Sequence, residues 1–594
     1  MIEPVDRTTE ATLIENIDRS GLERHLDALA GLERVSGSKD ERIAAEYVVE
    51  TLEEYGVETT CEEFEGYVSV PERGELEVTH PTTREFDALT VAFSASTPPE
   101  GVHAELVVLG EDALREERVR IDPTGRVVLV DSLPNPTLAC AADELGAAGV
   151  VFMSPNEHLY EGSVSPVWGT PTPETARDLP DIPVVEVTRG AGAWLREEAT
   201  GGTVELTVRS RVTTELRTLP CPVGRIDGTE SDRFFLIGNH IDSWHEGVTD
   251  NATAVAVTLE LARLFADRTP KRGLVFGFWP AHSTGRYAGS AWYADTNWLD
   301  LRENGVAYLH IDLPGLRNAE EIWYQHMAEL ADEHLDIIRN VVELDIQDGA
   351  ESYLGSVGRP ARNSDQSFWG TGLSSLLSGA RLTPGTEEGG PIGGGWWWHT
   401  PEDTRDKVDV DVLTEETKLY VALASRICES PIPPHDFTAT VDDFHDVLDE
   451  IEDSNEIGST LAPVREDLDA LRRMLMNAYG FVEERLSVDE QSEQTPSAEN
   501  TSTESLATEF EDLQVRLGNV LIPGLYMERE EYDHDPKGPY QRLPGLRSDH
   551  GEGVTDRERR FATVRQQREM NEIRHRVRRA TAETETFLKR VQTD

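Results

Sequence analysis

The sequence predicts an α/β protein: a mostly parallel central sheet flanked by helices, a β-rich inserted domain, and a helical C-terminal domain. Three observations predict it. Phe234-Phe235-Leu236-Ile237-Gly238 and Gly273-Leu274-Val275-Phe276-Gly277-Phe278-Trp279 are near-continuous apolar runs, the pattern of strands covered on both faces. Between about residues 218 and 434 such runs alternate with helical periodicity. Beyond about residue 436 the periodicity is helical. A chain of 594 residues exceeds one core, since domains usually hold roughly 100–200 residues. Four segments are expected: 1–69, the N-terminal part of the α/β domain; 70–215, the insert; 216–435, the remainder of the α/β domain; and 436–594, the helical domain, broken by a polar low-complexity stretch at 487–504 read as a disordered loop.

Taken in order, Ser38 to Gly56 reads as a helix. Ser38 and Glu41 form a capping box, apolar residues recur at Ile43, Ala44, Tyr47, Val48 and Leu52, and Gly56 sits at the C-cap. Strand-like alternation follows over Val57–Glu65. In the insert, Gly125–Asp131 reads as a buried strand, Leu138–Ala148 as a helix and Val150–Met153 as the next strand, a βαβ crossover. Asp181–Val187 reads as a further strand, and Ala252–Leu264, behind the first apolar run, as a helix. The irregular, aromatic and charged segment Tyr526–Tyr540 reads as an interface or inter-domain contact.

The formal net charge of −57 comes from 112 acidic residues spread along the chain. Lysine occurs only at Lys39, Lys271, Lys407, Lys418, Lys537 and Lys589, so arginine carries most of the basic charge. Such a surface suits concentrated salt, where the Debye length shrinks to about 3 Å and self-repulsion is screened. It argues against nucleic-acid binding, which needs a basic stripe. No run approaches the roughly 20 apolar residues of a membrane helix, and no charged n-region with an apolar core opens the chain, so no membrane partner is expected. Cys61, Cys140, Cys221 and Cys428 are widely spaced, with no CxxC pair, which fits a reducing cytoplasm, with a pairing such as Cys61–Cys221 left open.

The chemistry-bearing residues fall at strand ends. His240 closes the first apolar run, and Asp242 is spaced to hold its imidazole through the carboxylate. Asp250 precedes a helix, where a carboxylate can bridge two cations. Asp312 follows the run Leu309-His310-Ile311, and His399 closes the run Trp396-Trp397-Trp398. Two histidines and two aspartates at strand ends or loops of one α/β unit suit zinc. Three further features each read two ways: His245 and Glu246 as further donors or a solvated loop, Trp396–Trp398 as a pocket wall or core, and Arg362 with Asn363 as a carboxylate clamp or a surface ion pair.

H-x-D, G-x-x-D-N, a strand-end Asp and W-H-T-P-x-D-T together resemble the zinc aminopeptidases and their relatives glutamate carboxypeptidase II, glutaminyl cyclase and the transferrin receptor, over roughly residues 1–430. The insert resembles a protease-associated domain and is assigned a lid or access role, and the C-terminal domain implies a homodimer. The resemblance implies one zinc on His240, Asp312 and bridging Asp250, and a second on Asp250, His399 and a glutamate. Ser364-Asp365-Gln366-Ser367-Phe368 matches the family's S-D-x-x-F segment. The departure is the family's W-x-x-E-E-x-G, whose first Glu is general base and second a ligand. Here it reads Trp279-Pro280-Ala281-His282-Ser283-Thr284-Gly285.

Three readings follow. His282 is the general base or a replacement ligand, in a one- or two-zinc hydrolase of amide bonds in peptides or acylated amino acids. The site binds metal or ligand without turnover, as in the receptor relatives. Or Ser283 is the nucleophile of a serine hydrolase, on a strand–turn–helix like the G-x-S-x-G elbow.

Overall fold

The computed structural model describes residues 7–115, 119–347, 358–454, 460–490, 498–538, 541–547 and 555–593. Its strands, among the described residues, are β1 (Glu58–His80), β2 (Arg84–Thr90), β3 (Val102–Val108), β4 (Val127–Val130), β5 (Gly149–Met153), β6 (Val184–Val187), β7 (Glu205–Ile226), β8 (Phe234–His240), β9 (Gly273–Trp279), β10 (Gly305–His310), β11 (Glu321–His326), β12 (Asp345–Ile346) and β13 (Ser374–Arg381).

The two apolar runs become β8 and β9, buried at every position. With β10 and β13 they form a parallel centre in the order β9-β8-β10-β13, flanked by antiparallel β7 and β11. The sheet is mixed, with its parallel part in the middle. The helix Thr253–Ala266 packs into the core under it.

β1 and β7 are far longer than the alternation around Val57–Glu65 predicts. They pair antiparallel from Glu58↔Arg225 to His80↔Glu205. One end of this ribbon joins the central sheet through β7 and β9. The other closes a ring in the order β1-β2-β6-β5-β4-β3-β7, which is the insert. The positions 70 and 215 therefore lie inside continuous strands, so the insert is tied to the α/β domain by backbone hydrogen bonds rather than by a linker.

The expected helix at 38–56 is Lys39–Glu54. Ser38 accepts from the Glu41 N–H at 3.1 Å, but the Glu41 carboxylate accepts from the Gly37 N–H at 2.7 Å, one residue before the position a capping box requires. Gly56 adopts φ +79° at the C-terminal turn. The helix expected at 138–148 is instead Pro136–Glu144, capped by Asn135 and ended by Gly146 at φ +76°. β4 and β5 on either side of it are parallel, as a βαβ unit requires.

Cys61 faces Pro222 across the ribbon and Cys221 faces Glu62, so the two cysteines project from opposite faces, and all four thiols are free. Helices Phe437–Asp453, Ala462–Glu490, Ala498–Tyr526 and Asp556–Val591 bury their own core around Phe444, Leu468, Phe510 and Val577. The stretch 487–504 is helical up to Glu490 and again from Ala498, where a disordered loop was expected; 491–497 lie outside the described residues. No helix among the described residues is long and apolar enough to cross a membrane.

Candidate metal centre

Parallel register brings the chemistry to one edge of the sheet. His240 ends β8 opposite Trp279 at the end of β9, and His310 ends β10 opposite Gly238. The loops leaving these strands carry Asp242, Asp250, His282, Ser283 and Asp312 to the same crevice.

Asp250 lies between two imidazoles. Its Oδ1 is 3.0 Å from His240 Nε2 and its Oδ2 is 3.1 Å from His399 Nε2. Asp312 Oδ1 lies 3.6 Å from His240 Nε2. Yet His240 Nε2 and Asp312 Oδ1, both buried, make no hydrogen bond, so close polar atoms face a common point rather than each other. Burial alone would lower the His240 pKa; the Asp242, Asp250 and Asp312 carboxylates outweigh it and raise it well above its ordinary value. Buried imidazole nitrogens and carboxylate oxygens arranged in this way fit a divalent cation such as zinc. One donor atom from each of His240, His282 and Asp312 also lies within 4.8 Å of the others.

Each imidazole is oriented through Nδ1. His240 Nδ1 donates to the Asp242 carbonyl oxygen at 3.0 Å. The Asp242 carboxylate, expected to do this, stands 3.7 Å away. It accepts instead from the N–H groups of His282 (2.9 Å) and Ser283 (3.0 Å), and from the Ser36 hydroxyl (3.1 Å). Asp242 thus faces His240 with both its backbone carbonyl and, at 3.7 Å, its carboxylate, and the same carboxylate holds the His282-Ser283 turn. His399 Nδ1 donates to the Glu161 carbonyl oxygen at 2.6 Å. With Nδ1 turned to a backbone carbonyl, both rings point Nε2 toward the centre, the nitrogen a metal would take.

His282 follows the same logic with a stronger partner. Its Nδ1 donates to Asp365 Oδ2 at 2.7 Å, and Asp365 Oδ1 accepts from Ser290 at 2.6 Å. The ring stacks on His240 with centroids 3.8 Å apart and planes 13° apart. Ser283 sits beside it, and among the described residues its hydroxyl makes no hydrogen bond to an imidazole. The left-handed backbone of this turn falls at Ala281 (φ +54°), not at Ser283 as a nucleophile elbow requires.

Several supports carried no local motif. Arg34, fully buried, donates to the carbonyls of Ile241, Glu246 and Gly247 and pins the loop before Asp250. Burial brings its pKa down to about 10 against the pull of nearby carboxylates. The Asp403 carboxylate, from W-H-T-P-x-D-T, accepts from the Thr249 and Asp250 N–H groups; burial raises it to about 7. Ser364 donates to Asp312 Oδ2 at 2.6 Å.

A cavity of about 100 Å³ opens above the donors, lined by the α/β domain, by Tyr160 and Glu161 of the insert, and by Lys537 of the C-terminal part. Trp398 forms one wall, stacked on His399 at 3.6 Å, whereas Trp397 is core and donates to Thr249. Glu246 turns away to accept from the Gly31 N–H; His245 lies 3.6 Å from Glu161. Arg362 is a buried ion pair with Glu528 at 2.7 Å, not a surface pair, and Asn363 alone of the two lines the cavity. The segment after Tyr526 is an inter-domain contact: Trp298 packs on Tyr532, and the Lys537 N–H donates to Pro166 of the insert at 2.7 Å; Tyr540 lies outside the described residues.

Residues 223–424 match Peptidase family M28. The chain is 28% identical over 408 residues to the probable lipoprotein aminopeptidase LpqL of Mycobacterium tuberculosis, covering 64% of this chain and 78% of that protein. Its fold is that of the aminopeptidase from Aneurinibacillus sp. strain AM-1, with a TM-score of 0.56 at 20% identity over 71% of this chain and 96% of that one. The zinc aminopeptidase of Bacillus subtilis superposes with a TM-score of 0.52 at 19% identity, over 70% of this chain and 96% of that one.

Proposed function

For a chain that carries a peptidase family M28 domain, we propose metal-dependent hydrolysis of an amide bond in a peptide or acylated amino acid, with His282 as general base. The observation that carries the proposal is the Asp365–His282 pair, 2.7 Å long and stacked against the metal donor His240. With Nδ1 committed to Asp365, the Nε2 lone pair of His282 is free to accept a proton from water, and the carboxylate stabilises the imidazolium that results. A zinc ion held by His240, Asp250 and Asp312, with His399 on the far oxygen of Asp250, would act as a Lewis acid on the scissile carbonyl and on water. The cavity of about 100 Å³ leaves room for a small substrate group beside these residues.

A second reading rests on the 4.8 Å grouping of His240, His282 and Asp312: His282 as a metal donor in place of the missing glutamate. Metal content and turnover separate the two. His282→Ala that keeps its metal and loses about 10²-fold or more in kcat supports the base; loss of the metal supports the donor. A metal-loaded wild type that cleaves no aminoacyl or acyl-amino-acid amide would sink the hydrolase reading and favour a receptor-like binding protein.

A further inference from the structure

We propose that Trp168 of the insert is a positioning residue for His282: its indole N–H begins a one-way hydrogen-bond chain through Ser367 and Ser290 to Asp365. The base is then aimed at the metal donors only while the insert is seated on the α/β domain. The inference deepens the hydrolase reading by adding control of the base, and it rests on His282 acting as that base.

Three side chains join the insert to Asp365. Trp168 Nε1 donates to Ser367 Oγ at 2.8 Å, the Ser367 and Ser290 hydroxyls lie 2.8 Å apart, and Ser290 donates to Asp365 Oδ1 at 2.6 Å. Donor chemistry fixes the direction. An indole N–H can only donate and a carboxylate can only accept, whereas a hydroxyl does both. With its oxygen taken by the indole, Ser367 has its hydrogen left for Ser290, and Ser290 has its own left for Asp365. The Tyr287 carbonyl, the alternative acceptor for Ser290, is farther away at 3.2 Å. Without the indole, the Ser367 hydroxyl is free to accept from Ser290 instead, and Asp365 Oδ1 loses the donor that holds it. Asp365 carries His282 on its other oxygen, so a carboxylate that turns takes the imidazole with it. All four residues are buried, where such chains are strongest.

The strap that carries Trp168 is fastened to the turn that carries His282. Arg286 donates to the carbonyls of Ser163 and Ser165, and the Gly169 N–H donates to the Arg286 carbonyl at 2.6 Å. A Cβ on Gly169, which adopts φ +73°, would stand 2.7 Å from that of Ala291. Glycine therefore lets the strap close on the helix Ala288–Thr296, which holds Ser290. Trp168 also packs on Tyr287 with centroids 4.2 Å apart, and Tyr287 meets His282 edge to face at 4.8 Å. Tyr160, Gly162 and Ser163 of the same strap line the cavity, so a wall of the site and the start of the chain belong to one short segment.

Two variants of the full-length, metal-loaded protein test the chain. Trp168→Phe keeps a ring against Tyr287 and removes the N–H; Ser367→Ala removes the first hydroxyl. Each should lower kcat about threefold to tenfold, with KM for the same amide changed by less than about twofold. The double variant should be no worse than the poorer single one, because both break one chain. Unchanged kcat, a change confined to KM, or losses that add would overturn the inference. A second readout needs no turnover. With isotope-labelled histidine, the proton on His282 Nδ1, assigned by its loss in His282→Gln, should move upfield and exchange faster with water in both variants. If the wild type cleaves no amide, the hydrolase reading fails and this resonance alone decides the positioning role; a resonance unmoved in both variants refutes it.

Discussion

The resemblance to the zinc aminopeptidases implies a second metal ligand at the position of Ser283, and the other two donors it implies there are Asp250 Oδ2 and His399 Nε2, 3.1 Å apart. Two protein donors are too few for a tight zinc site. One ion per chain is therefore expected in the wild type, and Ser283→Glu should raise the stoichiometry toward two, as read by elemental analysis after dialysis. Two tightly held ions in the wild type would sink the argument. A different residue reports on pH. Glu416, fully buried, accepts from the N–H groups of Gly315 and Ala380 at 2.5 and 2.6 Å. Burial pushes its carboxyl up to about 7 from the ordinary 4.5. The folded state thus holds a proton that the unfolded chain releases. Its stabilising contribution is complete below pH 4.5 and lost as pH rises through about 7, by up to about 3 kcal/mol. Glu416→Gln lacks this titration, so the stability gap between wild type and variant should shrink from pH 4.5 to 7.5 in urea denaturation. A gap constant across that range would refute the assignment.

At the scale of elements, the joint between the central sheet and the C-terminal helices is centred on Arg272, with Arg233 beside it on Glu511 and Asp512. Arg272, 2% exposed, donates to Glu511 on the helix Ala498–Tyr526 at 2.7 Å and to the carbonyls of Ile427, Ser430 and Pro431. Removing it leaves Glu511 buried with only Arg233, 3.6 Å away and paired also with Asp512, at a cost of up to about 3–5 kcal/mol. Arg272→Leu should lower Tm and open the helices to proteolysis, and adding Glu511→Leu should restore most of the loss, because the penalty is the stranded charge. A double variant no better than the single one would show that packing, not charge, governs the joint. The ribbon of β1 and β7 works by a different principle. Its backbone pairing runs from the central sheet into the insert, with register shifts at Pro71/Arg73 and Val78/His80, and the insert sets the Glu161 carbonyl against His399.

For the whole molecule, a net charge of −57 must be held together against its own repulsion. Thermal melts between 0.1 M and 3 M KCl should show Tm rising by roughly 10 °C or more as screening shortens the Debye length; a Tm indifferent to salt would remove the case for a high-salt habitat. What the sequence determined by itself is whatever local pattern carries. Apolar runs marked β8 and β9, and the positions of His240, Asp250, Asp312 and His399 at strand ends and loops followed from spacing within a few residues. The His282-Ser283 departure was equally plain in the chain. The tertiary structure alone decided the partners. Asp365 lies 83 residues from His282, and Glu161 lies 238 from His399. Arg34 reaches its carbonyls across more than 200 positions. The sequence placed the Asp242 carboxylate beside His240, from which it stands 3.7 Å, but not against the His282 and Ser283 N–H groups from which it also accepts. Contacts of this kind depend on strand register and on how the insert closes over the sheet. Periodicity reports which face of an element is buried, and carries no information about which distant side chain will meet it there.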